Sequence, residues 1–280
     1  MPELPEVETV ARGLRERCLG KTLSHWEVRY PGLFRDAGGK RPEKEQRDAL
    51  LGLFENRTIR EIRRRGKYIL MEFSGPLLVV HLRMTGKFSM KEEDLNSPHT
   101  HLVLHFTDGT FLLYNDIRKF GTFQLLANES ELELTTTGRL GPEPLDAGFT
   151  LEVLEEALRG SRQQIKAFLL NQSRIAGIGN IYADEILFQA GILPDRPADT
   201  LQAEERKALY CAIGEKLLLG ITSGGASIRN YVNESGETGK FQELLAVYGR
   251  KGSPCPCCGE ALQSHVVAGR TSTFCTHCQK

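Results

Sequence analysis

Four cysteines in the pattern C-x2-C-x16-C-x2-C, Cys255, Cys258, Cys275 and Cys278, constrain this chain more than any other feature of it. Two close thiolate pairs at that spacing suit a tetrahedral zinc ion. Four sulfurs leave no coordination position for a reacting water, so one structural zinc is expected. Gly259, directly after the second cysteine, permits a knuckle turn, and Cys257 falls one residue out of register. Five of the seven cysteines fall in the last 26 residues, which argues against a disulfide framework spread over the chain. The tail is expected to carry a β-hairpin that presents Arg270.

A chain of 280 residues is long enough for two domains with cores of their own. With 40% apolar and 26% charged residues it is ordinary globular material, not a disordered, collagenous or coiled-coil sequence. The longest apolar stretches, such as 76–80, are far too short to span a membrane. The N-terminus carries Glu3, Glu6 and Glu8 in place of a basic, apolar signal, so a cytoplasmic protein is expected. Net charge is zero, yet the charge is uneven. Segment 57–67 holds six basic residues against one acid, 159–174 four against none, and 129–156 eight acids against one base. Separate basic zones suit a polyanion even in a neutral chain, although solvated faces would look the same.

Val7, Val10 and Leu14 recur at helical spacing up to Cys18, with Gly20 as the stop. Strand patterns follow at 25–30, 57–64, 67–73, 77–84, 102–107, 110–115 and 122–127, with Asp108-Gly109 as a hairpin turn. So many short strands behind one helix predict an antiparallel β-sandwich with flanking helices over 1–130. Segment 131–149 lacks periodicity and reads as a linker. Helical patterns then return at 151–159, capped by Thr150 with Phe149 and Leu154 as a staple, and at 162–171 and 180–190. A last helix begins at 199 or 200. The expected class is therefore a multidomain α+β protein: sandwich, helical domain over 150–246 and finger over 247–280.

Removal of Met1 would expose Pro2 as a secondary amine, a group able to attack a carbonyl or sugar C1′ while Glu3 and Glu6 handle protons. Pro2, Pro5 and the glutamates equally suit a plain helix start, and the fragment by itself leaves both readings open.

The opening Met-Pro-Glu-Leu-Pro-Glu-Val-Glu-Thr, Arg-Gly-Lys-Tyr around Lys67, His-Leu-Arg-Met ending at Met84, and Asp-Ile-Arg-Lys-Phe-Gly from Asp116 form an ordered set. Gly-Ile-Gly-Asn-Ile-Tyr-Ala from Gly177, Tyr-Gly-Arg-Lys-Gly from Tyr248 and the terminal finger complete it. Together, and in this order, they resemble the formamidopyrimidine-DNA glycosylase family over essentially the whole chain.

That resemblance implies a bifunctional DNA glycosylase and AP lyase that excises oxidised purines from double-stranded DNA, working as a monomer. It implies Pro2 as nucleophile, Glu3 as the acid/base group of base release, Lys67 for proton transfer in β-elimination and Arg270 for δ-elimination, with Glu6 in support. It implies that Met84, Arg118 and Phe120 fill the hole left by an extruded base. Core packing is the alternative for Met84 and Phe120. The turn at 177–180 looks like the centre of a helix-two-turn-helix, with Arg162, Lys166, Asn180, His81 and His99 at DNA-contact positions. Segment 235–241 resembles a loop that closes over the extruded base. Two rivals stand beside this reading: an endonuclease VIII-like enzyme for oxidised pyrimidines and a DNA-binding protein that has lost its chemistry. The opening motif, the Asp116 motif and the long loop before Phe241 favour the purine enzyme, and intact Pro2, Glu3 and Lys67 favour catalysis.

Overall fold

The computed structural model describes residues 1–226 and 239–280. The chain divides into two compact units, one of residues 1–139 and 224–239, the other of 140–223 and 240–280.

The first unit opens with helix α1 (Leu4–Cys18), whose Leu4, Val7, Val10, Ala11, Leu14 and Cys18 form its buried face. Two sheets follow. The four-stranded sheet has the order β1-β7-β8-β6, from β1 (Leu23–Val28), β6 (Gly86–Ser89), β7 (Thr100–Phe106) and β8 (Phe111–Asp116). The five-stranded sheet has the order β2-β9-β5-β4-β3, from β2 (Phe34–Arg35), β3 (Ile59–Arg65), β4 (Tyr68–Phe73), β5 (Leu77–His81) and β9 (Thr122–Leu126). All pairings are antiparallel except β2 with β9. Alternation decides which side chains meet. Ile69, Met71, Leu78 and Val80 join Leu102, Leu104, Leu112 and Tyr114 in one core shared by both sheets and α1, while Leu70, Leu77 and Val79 face the opposite side of their sheet. Asp108-Gly109 turns β7 into β8, with Gly109 at φ 81°.

The run at 77–84, expected as one strand, breaks after His81. Arg83 adopts φ 55°, the Gly86 N–H bonds back to Leu82 O at 3.1 Å, and the chain leaves one sheet for the other as β6. Helix α2 (Lys44–Gly52) was not expected, because Leu51 is its one buried side chain and its apolar stripe is too thin to read.

In the second unit, α3 (Leu151–Leu158) is capped by Thr150, whose hydroxyl accepts the Val153 N–H at 3.4 Å. Helix α4 (Ile165–Leu170) starts later than the pattern predicts, because Gln164 pairs as a β-bridge with Pro197. Helix α5 (Asn180–Ala190) follows the glycine turn and ends at left-handed Gly191. Helix α6 (Ala203–Thr222) begins at a capping box of Gln202 and Glu205, after a 3-10 turn at Ala198–Thr200. The hairpin of β10 (Gln263–Val267) and β11 (Arg270–Phe274) closes the chain. No helix among the described residues is long and apolar enough to cross a membrane.

Candidate functional site

The first unit gathers its chemistry at the start of α1. Pro2, Glu3 and Glu6 are all buried beneath an exposed Met1. Glu3 is the N-cap, and Glu6 closes a capping box: its Oε2 accepts the Glu3 N–H and its Oε1 the Ala226 N–H, each at 2.8 Å. The helix-start and catalytic readings of these residues are thus compatible. The bonds that start the helix also hold Glu3 in place and leave Glu6 accepting with both oxygens.

Lys67 lies in the two-residue turn of the β3–β4 hairpin, where Arg65 pairs with Tyr68 and Gly66 supplies φ 56°. The Arg64 guanidinium, at the same hairpin end, reaches Glu8 of α1 at 3.0 Å, and Arg15 donates to the Ile62 carbonyl at 2.9 Å. These two bonds tie the start of the chain to the hairpin that carries Lys67. Sequence reasoning missed Arg64 and Glu8 because their partnership spans 56 positions.

His81 is buried, and its Nδ1 accepts the Arg83 N–H at 2.9 Å. Burial, with the Arg83 and Lys67 cations nearby, pushes it down to about 3. The ring is therefore neutral with its proton on Nε2, a hydrogen-bond donor and not a cation. His99 is exposed, just before β7. Met84 and Phe120 are 38% and 52% exposed, and Arg118 stacks on the Phe120 ring at 4.6 Å. The core-packing alternative fails for both apolar residues. They sit on two turns at one end of the β6–β8 pair, where Gly86 faces Asp116.

In the second unit the turn at 177–180 is pinned by Gln172, whose Oε1 accepts the Gly177 N–H and whose amide donates to Ile178 O, both at 2.9 Å. Gly179 caps α5, Asn180 is its first residue, and the first turn of the helix carries no acid of its own. Arg162 and Arg270 are exposed.

Lys166, expected at a DNA contact, is corrected by its burial. It is 0% exposed, with its ammonium 2.6 Å from Asp184 and 3.0 Å from the Thr271 carbonyl. Asn180 reaches the same carbonyl at 3.3 Å, and Asp184 accepts the Thr273 N–H at 3.1 Å. Burial pushes the Asp184 carboxyl up to about 6, against the pull of Lys166, so it remains mostly ionised at neutral pH. Next to it, fully buried Glu185 accepts the N–H groups of Ala246, Val247 and Tyr248, each at 2.9 Å. Lys166 thus holds the strand that carries Arg270. Lys166→Met is expected to destabilise the second unit by about 3 kcal/mol or more, because Asp184 is left buried and unpaired. It should leave the salt dependence of DNA binding unchanged. An unaltered melting temperature with a flatter salt dependence would return Lys166 to the surface role.

The four cysteines converge, with all four sulfurs within 4.8 Å of one another. Cys255 and Cys278 are 3.8 Å apart and Cys258 and Cys275 3.5 Å. Tetrahedral Zn–S bonds of about 2.3 Å require sulfurs about 3.8 Å apart, so the set fits zinc. The Ala268-Gly269 turn, with φ 51° and 70°, brings Arg270 to the start of β11. The expected loop at 235–241 lies, for 235–238, outside the described residues; Phe241 is buried and stacks on Tyr182 with ring centroids 4.9 Å apart.

Residues 1–123 match the family model of the formamidopyrimidine-DNA glycosylase N-terminal domain, and residues 140–232 that of the formamidopyrimidine-DNA glycosylase H2TH domain. The formamidopyrimidine-DNA glycosylase of Cytobacillus firmus is 46% identical over 283 residues, covering 100% of both chains. That of Bacillus cereus is 44% identical over 280 residues, covering 100% of this chain and 99% of its own. Among solved structures, the MutM (Fpg) protein of Thermus thermophilus superposes with a TM-score of 0.87 at 40% identity, covering 99% of this chain and 98% of its own. Lactococcus lactis Fpg in complex with abasic-site DNA gives 0.88 at 38% identity, covering 99% of each chain. The same protein with DNA containing N7-benzyl-Fapy-dG also gives 0.88 at 38%, covering 100% of each.

Proposed function

Since the chain belongs to the formamidopyrimidine-DNA glycosylase family, as both domain matches and full-length relatives establish, we propose that it removes oxidised purines from duplex DNA and cleaves the resulting abasic site by β,δ-elimination. The observation that carries the reading is the buried start of α1, where Pro2 and Glu3 lie side by side in a backbone held by Glu6. In this reading the Pro2 amine attacks C1′ and forms the C1′–N bond as the base leaves with its bonding electron pair. Glu3 exchanges the protons of base release. The amine gives up its proton and the C1′–O4′ bond opens, with O4′ taking a proton, which leaves an iminium at C1′. This acidifies the 2′ protons, so elimination expels the 3′ phosphate and then the 5′ phosphate, with Lys67 and Arg270 assigned to proton transfer and phosphate contact. The substrate class is supported by a relative, Lactococcus lactis Fpg, solved with DNA containing N7-benzyl-Fapy-dG and with abasic-site DNA. We assign catalysis to 1–130, with 131–149 as linker, the helix-two-turn-helix to 150–246, and to the finger at 247–280 one structural zinc held by the four cysteines.

DNA contact is assigned to Arg162, Asn180, Arg270, His99 and the neutral Nε2–H of His81, and hole filling to Met84, Arg118 and Phe120. Each phosphate neutralised adds roughly 0.9 to the slope of log affinity against log salt, so Arg270→Ala or Arg162→Ala should each flatten the slope by about that amount. A slope near zero for the unaltered protein on duplex DNA would reject the DNA reading. Strand products from duplexes carrying 8-oxoguanine, formamidopyrimidine or an oxidised pyrimidine test the substrate class. Cleavage confined to the pyrimidine lesion would replace it.

A further inference from the structure

Met84 and Phe120 are presented by two turns that share an unusual backbone. The residues directly before them, Arg83 and Lys119, lie in the left-handed region at φ 55° and 57°. That region is disfavoured for any residue with a Cβ, so such turns persist only where surrounding bonds over-determine them.

Those bonds converge on one side chain. Asp116, fully buried at the end of β8, accepts the Thr85 hydroxyl and the Arg118 N–H (3.1 Å) on Oδ1. On Oδ2 it accepts the Gly121 N–H at 2.8 Å and meets the Tyr114 hydroxyl at 3.4 Å. Thr85 follows Met84, Gly121 follows Phe120, and Arg118 is the third member of the exposed set. The backbone of Asp116 is held as firmly: its N–H bonds to His99 O at 3.0 Å, and its carbonyl accepts from His101 Nε2 at 2.8 Å. Burial, then the Asp116 charge, pushes the Tyr114 phenol far above its ordinary value, so it stays protonated and donates. A Cβ at Gly121 would lie 1.6 Å from that hydroxyl and one at Gly86 2.1 Å, which explains a glycine at each position.

We propose that Asp116 is the positioning residue of the wedge: one carboxylate fixes the Met84 turn and the Arg118–Phe120 turn relative to each other before DNA arrives, so that both enter the base stack together. The proposal rests on the wedge reading above. A carboxylate is required because four donors face it. An amide of the same size would aim two N–H groups at donors and lose the bond to one turn.

Two substrates and a reporter separate the possibilities: single-turnover excision of formamidopyrimidine from intact duplex, cleavage of a preformed abasic site, and fluorescence of a 2-aminopurine beside the lesion to follow unstacking. Asp116→Asn is expected to slow excision and the fluorescence rise by about tenfold or more, the loss of charged hydrogen bonds, with a far smaller effect on the abasic site. Thr85→Val, which removes one donor at nearly constant volume, should slow the same two readouts by about threefold, and Thr85→Ser should restore them. If Asp116→Asn fails to fold by thermal melting, the Thr85 pair carries the test. Met84→Ala and Phe120→Ala are the reference. If they lose activity equally on both substrates, the wedge reading falls and the positioning role with it. If they are selective while Thr85→Val and Asp116→Asn are unchanged or lose both activities equally, the positioning role alone is overturned.

Discussion

Sodium borohydride added while the protein turns over a formamidopyrimidine duplex is expected to leave a stable protein–DNA adduct that proteolysis maps to Pro2. A secondary α-amine with an ordinary pKa of about 8 has a lone pair on a useful fraction of molecules at neutral pH, and its attack on C1′, followed by opening of the C1′–O4′ bond, gives an iminium that hydride converts into a permanent amine. Pro2 is buried beside Glu3, and the Glu3 N–H is held by Glu6 at 2.8 Å, so the proposed nucleophile and its proposed carboxylate partner belong to one helix start. Retaining Met1 or adding a tag ahead of it should abolish the adduct entirely, since an amide nitrogen has no available lone pair. Glu3→Gln should suppress base removal yet permit trapping on a preformed abasic site, where no glycosidic bond remains to be broken. Normal trapping by an N-terminally blocked protein, or an adduct at Lys67, would replace the proline mechanism with a lysine-based lyase.

Loss of zinc is expected to have the next largest effect. Cys275→Ser, or chelation, should remove the metal and lower DNA affinity by on the order of 100-fold or more, while the first unit stays folded. The proposed dependence on metal follows from the small apolar cluster of the finger, Val247, Cys255, Leu262 and Cys275, in which two of the four are the cysteines proposed as ligands. A four-thiolate zinc site contributes on the order of 10 kcal/mol, comparable with the stability of a whole domain. With the hairpin lost, Arg270 loses its strand and the Thr271 carbonyl no longer meets Lys166 and Asn180. The first unit has its own core of two sheets and α1, which owes nothing to the metal. One zinc per chain by native mass spectrometry, with a two-step loss of structure on chelation and heating, is the expected record. Metal-free protein with full DNA affinity would sink this account.

Ligand spacing, the stripe of α1, the Asp108-Gly109 turn and the Thr150 cap were legible in the sequence because each depends on residues a few positions apart. Local chain geometry supplies the partner, so a string of residues is enough to read it. The resemblance placed Met84, Arg118 and Phe120 together, but only the folded chain shows that Met84 and Phe120 are exposed and outside the core. What remained hidden was settled by partners far along the chain. Lys166 looked like a surface cation in a basic segment, and its partners are 18 residues away at Asp184 and 105 away at Thr271. Glu6 looked like a helix-start acid, and its second bond is 220 residues away at Ala226. Asp116 looked like one letter of a motif, and its partner Thr85 lies 31 residues back, across a change of sheet. A buried charge is tolerated only where tertiary structure brings compensating groups to it. Whether a Lys or Asp serves the surface or the interior is therefore decided by packing, which no local pattern encodes.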